Sequence, residues 1–328
     1  MDLMKKGIVF TIISILVAGF FIIVFSAKID VPLDAKVDSV SFRVSFLNNY
    51  RQNWEDYTAM AVRTSSYMAF SQLTDWMDAN NQNFADTPTF KARFSECMVA
   101  GNITYLGPTE SCSGLAGPTN YTLAFWLNNI ADLAWSNLSI NTSYKVNEVD
   151  MYQTSPFYVT MLVNMSYYLE DAISSVNKTM LITETISIEG LRDPLGTIRF
   201  GAWNHFITET GIKAENWSQA NFTRFVSNSE FRYHEDAPSY LQRFVEDYSA
   251  SSCCGIESVL ENVPDQGNSS FVDHEYFEYW NSPAYECEEV YTIDWYNGGS
   301  DPGYTQLDFH HLASYNVDDN DWLFIPDC

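Results

Sequence analysis

Histidines beside carboxylates are the residues of this sequence best suited to chemistry. The five are His205, His234, His274, His310 and His311, and four of them stand in the runs His-Glu-Asp from residue 234, Asp-His-Glu from residue 273 and Asp-Phe-His-His from residue 308. Imidazole and carboxylate groups together are suitable ligands for a transition metal. However, no run has the H-E-x-x-H spacing of a zinc enzyme, and among 42 acidic residues such neighbours are expected by chance. We therefore interpret them as ordinary surface or core histidines.

An oxygen-rich cluster near the C-terminus indicates a second kind of metal chemistry. Asp318, Asp319 and Asp321 surround Asn320, and Asp301 lies in a glycine-rich loop that could bend around a hard cation. Such oxygens are the ligands of Ca²⁺, which extracellular modules often bind, although the spacing of an EF-hand is missing. Ca²⁺ is our only candidate cofactor, and the alternative is a solvated acidic loop that binds none.

Signatures of enzyme active sites are missing from the sequence. It contains no G-x-S-x-G turn, no phosphate-binding glycine loop and no cysteine–histidine nucleophile signature. This absence weakens the case for catalysis, and we predict that the protein is not an enzyme. The alternative, an anchored metal-dependent hydrolase, would need a metal at the histidine clusters and would depend on His310 or His311.

The cysteines favour disulfides over metal binding. They are Cys97, Cys112, Cys253, Cys254, Cys287 and Cys328, and they form neither a C-x-x-C pair nor a Cys/His zinc spacing. An even number is typical of a chain that folds in an oxidising compartment. We expect Cys97 and Cys112 to close a local loop, and Cys253 and Cys254 to pair with Cys287 and Cys328. Buried free thiols are the alternative.

Sequons of the form Asn-x-Ser/Thr predict glycosylation. They begin at Asn102, Asn120, Asn137, Asn141, Asn164, Asn177, Asn216, Asn221 and Asn268. This is about twice the number expected by chance from the Asn, Ser and Thr content. One sequon is weak support, but this set, which falls at predicted loops or polar faces, indicates N-glycosylation of a domain outside the cell.

An apolar segment near the N-terminus predicts how the protein is anchored. Residues 8–27 contain no ionisable side chain and are long enough to cross a membrane as a helix. Lys5 and Lys6 precede this segment and the acidic remainder follows it, so the positive-inside rule places the remainder outside the cell. A cleaved signal peptide fits less well, because the apolar stretch is long and Phe25 stands where a small residue is needed.

The Lys-Lys-Gly sequence directly before the apolar segment resembles the signal of archaeal type IV pilins and archaellins. The resemblance implies cleavage after Gly7, exposure of Ile8, and a helix that stays in the membrane or in a filament core. A plain uncleaved anchor is the alternative. The segments 187–195, 254–260 and 307–317 resemble a family of membrane-anchored surface proteins from small-genome archaea. That second resemblance implies an address at the cell surface and no particular activity.

Hydrophobic periodicity predicts an α+β fold in three parts. Apolar residues at three- and four-residue steps predict helices over residues 40–61, over 87–101 and from 122 onwards. Alternating apolar residues predict two antiparallel strands over residues 159–169 and 179–188. Beyond them we expect short helices over 238–248 and after Gly255, and strands over 271–280 and 290–296. The predicted domains are a signal, transmembrane or filament-core helix in 1–30, a small helical region in 31–148, and a β-rich, antiparallel, disulfide-bonded and glycosylated extracellular domain in 149–328.

Composition and charge limit the function. The 328 residues carry 42 acidic and 17 basic side chains, a net charge of -25, which excludes nucleic acid as the main partner because phosphates are bound by Lys and Arg. We predict a structural cell-surface protein, either a pilin-like filament subunit or an envelope component, that self-associates through its N-terminal helix at the membrane. The alternative is an anchored adhesin or receptor that binds glycans or surface glycoproteins of partner cells.

Overall fold

The computed structural model describes residues 35–103, 110–112, 120–200, 205–263, 269–281, 290–293, 305–318 and 322–324. Over these residues the chain is α+β. It divides into two compact units, Met1–Tyr50 and Arg51–Cys328. All of the side chains that form the candidate site described below belong to the second unit.

The structure corrects the predicted fold class in three respects. The predicted membrane-spanning helix over residues 8–27 lies outside the described residues, and within the described ranges no helix has both the length and the apolar character to cross a membrane. The predicted small helical region contains a helix of 46 residues. The C-terminal half is not simply β-rich and antiparallel, because short helices alternate with its strands and one strand pair is parallel.

Helix α1 (Ala35–Asn80) extends well beyond the helix predicted over residues 40–61. Its buried residues recur at three- and four-residue steps and include four Ser and Thr side chains. The buried residues are Leu47, Tyr50, Trp54, Thr58, Ala61, Val62, Ser65, Ser66, Ala69, Phe70, Leu73, Thr74, Trp76 and Met77. The hydroxyls of Thr58 and Thr74 donate to carbonyl oxygens one turn earlier, which satisfies them inside the core. These polar residues interrupt the apolar stripe in the sequence, and this explains why periodicity underestimates the helix. Val40 and Val44, predicted to lie in the stripe, are exposed.

Helix α2 (Thr87–Ala100) begins and ends at capping residues. The carboxylate of Asp86 accepts a hydrogen bond from the backbone N–H of Thr89 at 2.7 Å. Gly101 ends the helix with a φ of 76°, a left-handed conformation that glycine adopts without a steric cost. The helix predicted over residues 87–101 is confirmed, and its N-cap is Asp86. Strands β1 (Asn102–Ile103) and β2 (Glu110–Ser111) follow, and helix α3 (Leu123–Leu138) comes after them.

Strands β3 (Asn141–Ser155), β4 (Tyr158–Glu170) and β5 (Ser175–Ser187) form an antiparallel sheet in that order. Alternate residues of β4 from Val159 to Leu169 are buried, and the predicted pair β4 and β5 is confirmed. Strand β3 is not predicted, and the proposed domain boundary falls inside it. Met151 is its only fully buried residue, so its sequence alternates with too little contrast to be recognised.

Helix α1 lies against one face of this sheet. The ring of Trp54 contacts the rings of Tyr144 and Tyr167. Glu55 accepts hydrogen bonds from the hydroxyl of Tyr167 and from the ammonium of Lys178. Tyr144 and Lys178 are the register partners of Tyr167 on the two neighbouring strands, so all three lie on the same face. The other face points away from the helix.

The C-terminal half alternates short helices and strands. In chain order they are α4 (Pro194–Phe200), a 3-10 helix (Ala214–Asn216), α5 (Gln219–Ser227), β6 (Arg232–Tyr233), α6 (Tyr240–Arg243), β7 (Ile256–Glu257), β8 (Val259–Val263), β9 (Ser269–Val272), α7 (Asp273–Asn281), β10 (Val290–Ile293), β11 (Thr305–Asp308), α8 (Phe309–Ser314) and β12 (Trp322–Phe324). Five strands form a sheet in the order β12-β10-β11-β9-β8, in which β9 and β11 are parallel. Strands β6 and β7 form a separate antiparallel pair.

Two predictions for this half are wrong. Ile256, Val259 and Leu260, expected in a helix after Gly255, lie in strands β7 and β8. The strand expected over residues 271–280 is mostly helix α7. A short apolar run does not distinguish a strand from a helical turn, because neither period repeats often enough to be seen.

An aromatic cluster joins the helical part to the C-terminal half. Phe70 of α1 lies 4.5 Å from Phe94 of α2 and 5.5 Å from Tyr240 of α6, measured between ring centroids. Phe90 stacks on Phe244 at 4.4 Å. All five side chains are fully buried, so this cluster holds α6 and the segment after it against the two helices.

Candidate functional site

Glu257, at the end of β7, is the centre of a buried cluster of ionisable side chains. It is completely inaccessible to solvent. Its Oε1 accepts a hydrogen bond from Nε of Arg232 at 2.6 Å and another from the hydroxyl of Tyr315 at 3.0 Å. Burial by itself would raise the pKa of Glu257, but the Arg232 and His311 charges and hydrogen bonds hold it well below its ordinary value. The carboxylate is therefore ionised inside the protein.

Three imidazoles approach the other oxygen of this carboxylate. Nε2 of His311 lies 3.0 Å from Oε2 of Glu257, and both Nδ1 of His234 and Nε2 of His274 lie 3.4 Å from it. The rings of His234 and His311 stack with their centroids 4.9 Å apart. Each histidine comes from a different one of the three histidine–carboxylate runs in the sequence. Two of the three, His274 and His311, are core histidines, and folding brings all three together at one carboxylate, a convergence that the sequence analysis does not predict.

Asp308 orients His311 from the opposite side of the ring. Its Oδ2 lies 2.7 Å from Nδ1 of His311, while its Oδ1 accepts from the backbone N–H of the same residue and caps helix α8. Burial alone would lower the pKa of His311, but the carboxylates of Glu257 and Asp308 raise it to about 10. Burial by itself would raise the pKa of Asp308, but the hydrogen bond to His311 and the charge of that residue lower it below its ordinary range.

Arg232 ties the cluster to the end of helix α8. Its guanidinium nitrogens donate to the carbonyl oxygen of Ser314 at 3.1 Å and to its hydroxyl at 2.6 Å. The guanidinium carbon lies 3.7 Å from the ring centroid of Tyr315 and 5.3 Å from that of Trp217. A planar cation can stack on rings and donate in its plane at once, which lysine cannot do. Arg232 therefore holds both Glu257 and the helix that carries His311.

A second buried ion cluster supports the first. Nη1 of Arg243 lies 3.0 Å from a carboxylate oxygen of Asp193 and 2.8 Å from one of Asp273, and its Nη2 donates to the carbonyl of Ile256. Ile256 precedes Glu257, and Asp273 precedes His274. Burial raises the pKa of Asp193, and the neighbouring Arg243 acts in the opposite direction. This arginine thus fixes two of the segments that carry the residues around Glu257.

The geometry permits two sets of metal ligands. His234, Glu257 and His311 offer donor atoms that all lie within 4.8 Å of one another, and so do Glu275, Asp308 and His311. Glu257 escapes sequence analysis, because it stands in the run Gly-Ile-Glu-Ser without a histidine or cysteine that would mark it. Arg232 and Tyr315 carry no local signal either.

The other predicted metal residues lie elsewhere. Asp318 is exposed, and Asp319, Asp321 and Asp301 lie outside the described residues, so the Ca²⁺ site stays a prediction. His310 is exposed beside the buried His311, and its side chain does not belong to either set of candidate ligands.

The sequons that the structure describes all reach solvent. Asn102, Asn120, Asn137, Asn141, Asn177 and Asn216 are exposed, Asn164 and Asn221 are half-buried, and Asn268 lies outside the described residues. The processing residues Gly7 and Ile8 also lie outside them. Glycosylation and processing therefore stay predictions, and no described sequon is buried beyond reach.

The disulfides agree only in part with the pairing expected from the sequence. Cys97 is bonded to Cys112, which closes the expected local loop around β1 and β2. Cys253 is bonded to its neighbour Cys254, which differs from the expected pairing with Cys287 and Cys328. The turn over residues 252–254 brings the two adjacent sulfurs together. Cys287 and Cys328 lie outside the described residues.

No known protein family, curated protein or solved structure gives a match to this chain. The function is therefore argued from the arrangement of its own residues.

Proposed function

We propose that this chain is a structural cell-surface glycoprotein that carries its glycans on the outer face of the β3–β5 sheet. The observation that supports this most directly is the position of three sequons. Asn164 lies on β4, Asn177 pairs with Tyr168, and Asn141 pairs with Glu170. Even-numbered residues of β4 share one face, so the three asparagines lie on the same side of the sheet.

This side is the one that faces away from helix α1. The contacts to α1 are made by Tyr167, by its register partners and by Glu184, which pairs with Met161 and binds Arg63 of the helix at 3.0 Å. These contacts involve odd-numbered positions of β4 and their register partners. Glycans at the three sequons would therefore project outward without displacing the helix.

The outer face carries many polar side chains, some of which hydrogen-bond across the strands, although the exposed Leu181 is the register partner of Asn164 on the same face. The amide of Asn147 donates to Oδ1 of Asn164 at 3.3 Å and to the hydroxyl of Ser166 at 3.0 Å. The hydroxyl of Ser166 lies 2.9 Å from that of Thr179. Polar side chains of this kind are typical of a sheet face that is exposed to solvent, and such a face suits an outward surface that bears glycans.

On this proposal the remaining parts have structural roles. The apolar segment of residues 8–27 would mediate self-association in a filament or envelope assembly, with cleavage after Gly7 as the pilin resemblance implies. The surplus of acidic residues would keep the outward part soluble. An adhesin that binds partner-cell glycans is the alternative use of the same architecture.

Mass spectrometry and electron microscopy of the protein from its native envelope test the proposal. We expect glycopeptides at Asn141, Asn164 and Asn177, and a mature N-terminus at Ile8 in material that forms filaments. An intact N-terminus in membrane particles would favour the anchored adhesin. Unmodified asparagines, together with resistance of the protein to protease added to intact cells, would refute a surface glycoprotein.

A metal-dependent hydrolase is the second candidate, because the histidine cluster offers the ligands that it needs. Its geometry is unfavourable for catalysis. Glu257, His274 and His311 are each buried to 2 % exposure or less, whereas a catalytic metal keeps a ligand position open to water or substrate. The cluster is better suited to a structural ion than to a reaction centre.

A further inference from the structure

We propose that His234, Glu257 and His311 bind one divalent transition-metal ion, with Zn²⁺ as the best-fitting ion, and that this ion fastens the C-terminal half together. The three residues come from the segment after β6, from β7 and from α8. His274 of α7 is the candidate for a fourth ligand. The site is independent of glycosylation and assembly, so it stands or falls separately from the proposed function.

The distances between the donor atoms match those around a tetrahedral ion. Zinc binds imidazole nitrogen and carboxylate oxygen at about 2.0–2.2 Å, which places neighbouring ligand atoms roughly 3.3 Å apart. The three imidazole nitrogens lie 3.0, 3.4 and 3.4 Å from Oε2 of Glu257. Each nitrogen is therefore at ligand spacing from Oε2. The donor atoms of His234, Glu257 and His311 all lie within 4.8 Å of one another, so side-chain rotations would bring these three around one ion, whereas His274 lies outside that set and would have to move further to become the fourth ligand.

The same criterion decides which side of His311 faces the ion. Nδ1 of His311 lies only 2.7 Å from Asp308, which is a charge-assisted hydrogen bond and shorter than the spacing between two ligands of one tetrahedral ion. Nε2, at 3.0 Å from Glu257, lies on the ligand side. A metal-binding histidine commonly donates its other N–H to a carboxylate, which fixes the ring and raises its basicity. Asp308 has this supporting role, and the set that includes Glu275 is disfavoured.

Supporting hydrogen bonds also orient the carboxylate of Glu257. Arg232 and Tyr315 both bind Oε1, which leaves Oε2 directed at the histidines. Nδ1 of His234 is buried and makes no hydrogen bond to any described residue. A buried nitrogen without a partner costs free energy, and a metal bond would remove that cost. Its approach to Oε2 of Glu257 at 3.4 Å does not satisfy this nitrogen as a hydrogen bond would.

The donor types select the ion. Ca²⁺ and Mg²⁺ take oxygen ligands, whereas imidazole together with carboxylate suits zinc and its neighbours in the first transition series. The burial of the ligands indicates a closed, structural site. The bound ion would link the segment after β6 to β7 and α8, which no described disulfide connects.

Zinc binding to the purified full-length chain tests the proposal. We expect one equivalent of Zn²⁺ by elemental analysis, and a melting temperature that falls by roughly 5 °C when a chelator removes it. Co²⁺ in place of Zn²⁺ should show the intense visible absorption of a tetrahedral site. H234A and E257Q should each weaken Zn²⁺ binding by at least about tenfold, as loss of supporting groups alone can do.

H310A is the matched control, because His310 neighbours His311 on the same helix and is exposed. It should bind Zn²⁺ like the unaltered chain. If E257Q does not fold, H234A decides the question, since the His234 side chain is 12 % exposed and is the least buried of the three. A folded chain that binds no Zn²⁺, or an H234A variant that binds it as tightly as H310A, would overturn the proposal.

Discussion

Replacement of Gly255 by alanine should lower the free energy of unfolding, because a methyl group at this position overlaps backbone atoms. Gly255 precedes the β7 strand and lies beneath the turn that follows β6. A Cβ at this position would come within 2.2 Å of the carbonyl oxygen of His234 and 2.3 Å of that of Ala237. Both are backbone atoms, so no side-chain rotation can relieve the overlap.

The size of the effect follows from these contacts. Real Cβ contacts are essentially never shorter than 3.0 Å, so the turn must move by about 0.8 Å or more relative to β7, in a densely packed interior. Overpacking of this kind costs about 1–3 kcal/mol, and two simultaneous backbone overlaps place G255A at the upper end, about 3 kcal/mol. His234 and Glu257 flank the displaced backbone, and metal ligands tolerate errors of only about 0.2 Å. Zinc affinity should therefore fall as well.

Chemical denaturation of the full-length chain, with and without Zn²⁺, measures both effects. G211A is the control, because a Cβ on Gly211 has no neighbour within 4 Å. Its free energy of unfolding should stay within about 0.5 kcal/mol of the unaltered chain. Equal stability of G255A and G211A would refute the predicted close approach of the two backbone segments.

Three further changes test other parts of the structure. R243M should lower the free energy of unfolding by about 3–5 kcal/mol in thermal or chemical melts, because it leaves two buried carboxylates without their cation. E55Q should lower the free energy of unfolding by about 1 kcal/mol at neutral pH. Burial would raise the pKa of Glu55, but the hydroxyl of Tyr167 and the ammonium of Lys178 lower it below its ordinary value. The stabilisation by the ionised carboxylate is therefore present above about pH 4.5 and is lost as the pH falls through the lowered pKa. C97S should cost about 3 kcal/mol under oxidising conditions, since Cys97 and Cys112 close a loop of 15 residues.

Each of these changes has an outcome that would contradict it. An R243M variant as stable as the unaltered chain would mean that Arg243 does not compensate the buried carboxylates of Asp193 and Asp273. A difference between E55Q and the unaltered chain that persists at low pH would exclude the ionised carboxylate as its source. If C97S and the unaltered chain melt alike under oxidising conditions and differ under reducing ones, the loop is not held by this disulfide.

The elements that could be predicted from the sequence are those formed by neighbours along the chain. Buried residues alternate along β4, and this period-two pattern is visible in the sequence before folding. The first turn of α2 is likewise marked by a capping residue and a proline within three positions. Strand β3 is not predicted because almost none of its side chains is fully buried. The run from Ile256 to Leu260 is assigned wrongly because it is too short to show either the helical or the strand period.

The candidate metal site shows what the sequence determined and what only the tertiary structure decided. The residue types and their local carboxylate neighbours, such as Asp308 beside His311, can be read directly, and they restrict the chemistry to imidazole and carboxylate ligands. Their convergence cannot be read, because Glu257 and His311 are 54 residues apart and approach only through separate strand and helix contacts. Burial then changes their chemistry, since charges that water would screen on the surface interact strongly inside the protein. Spacing along the chain carries no information about such contacts, so three runs that look accidental in the sequence meet at one carboxylate.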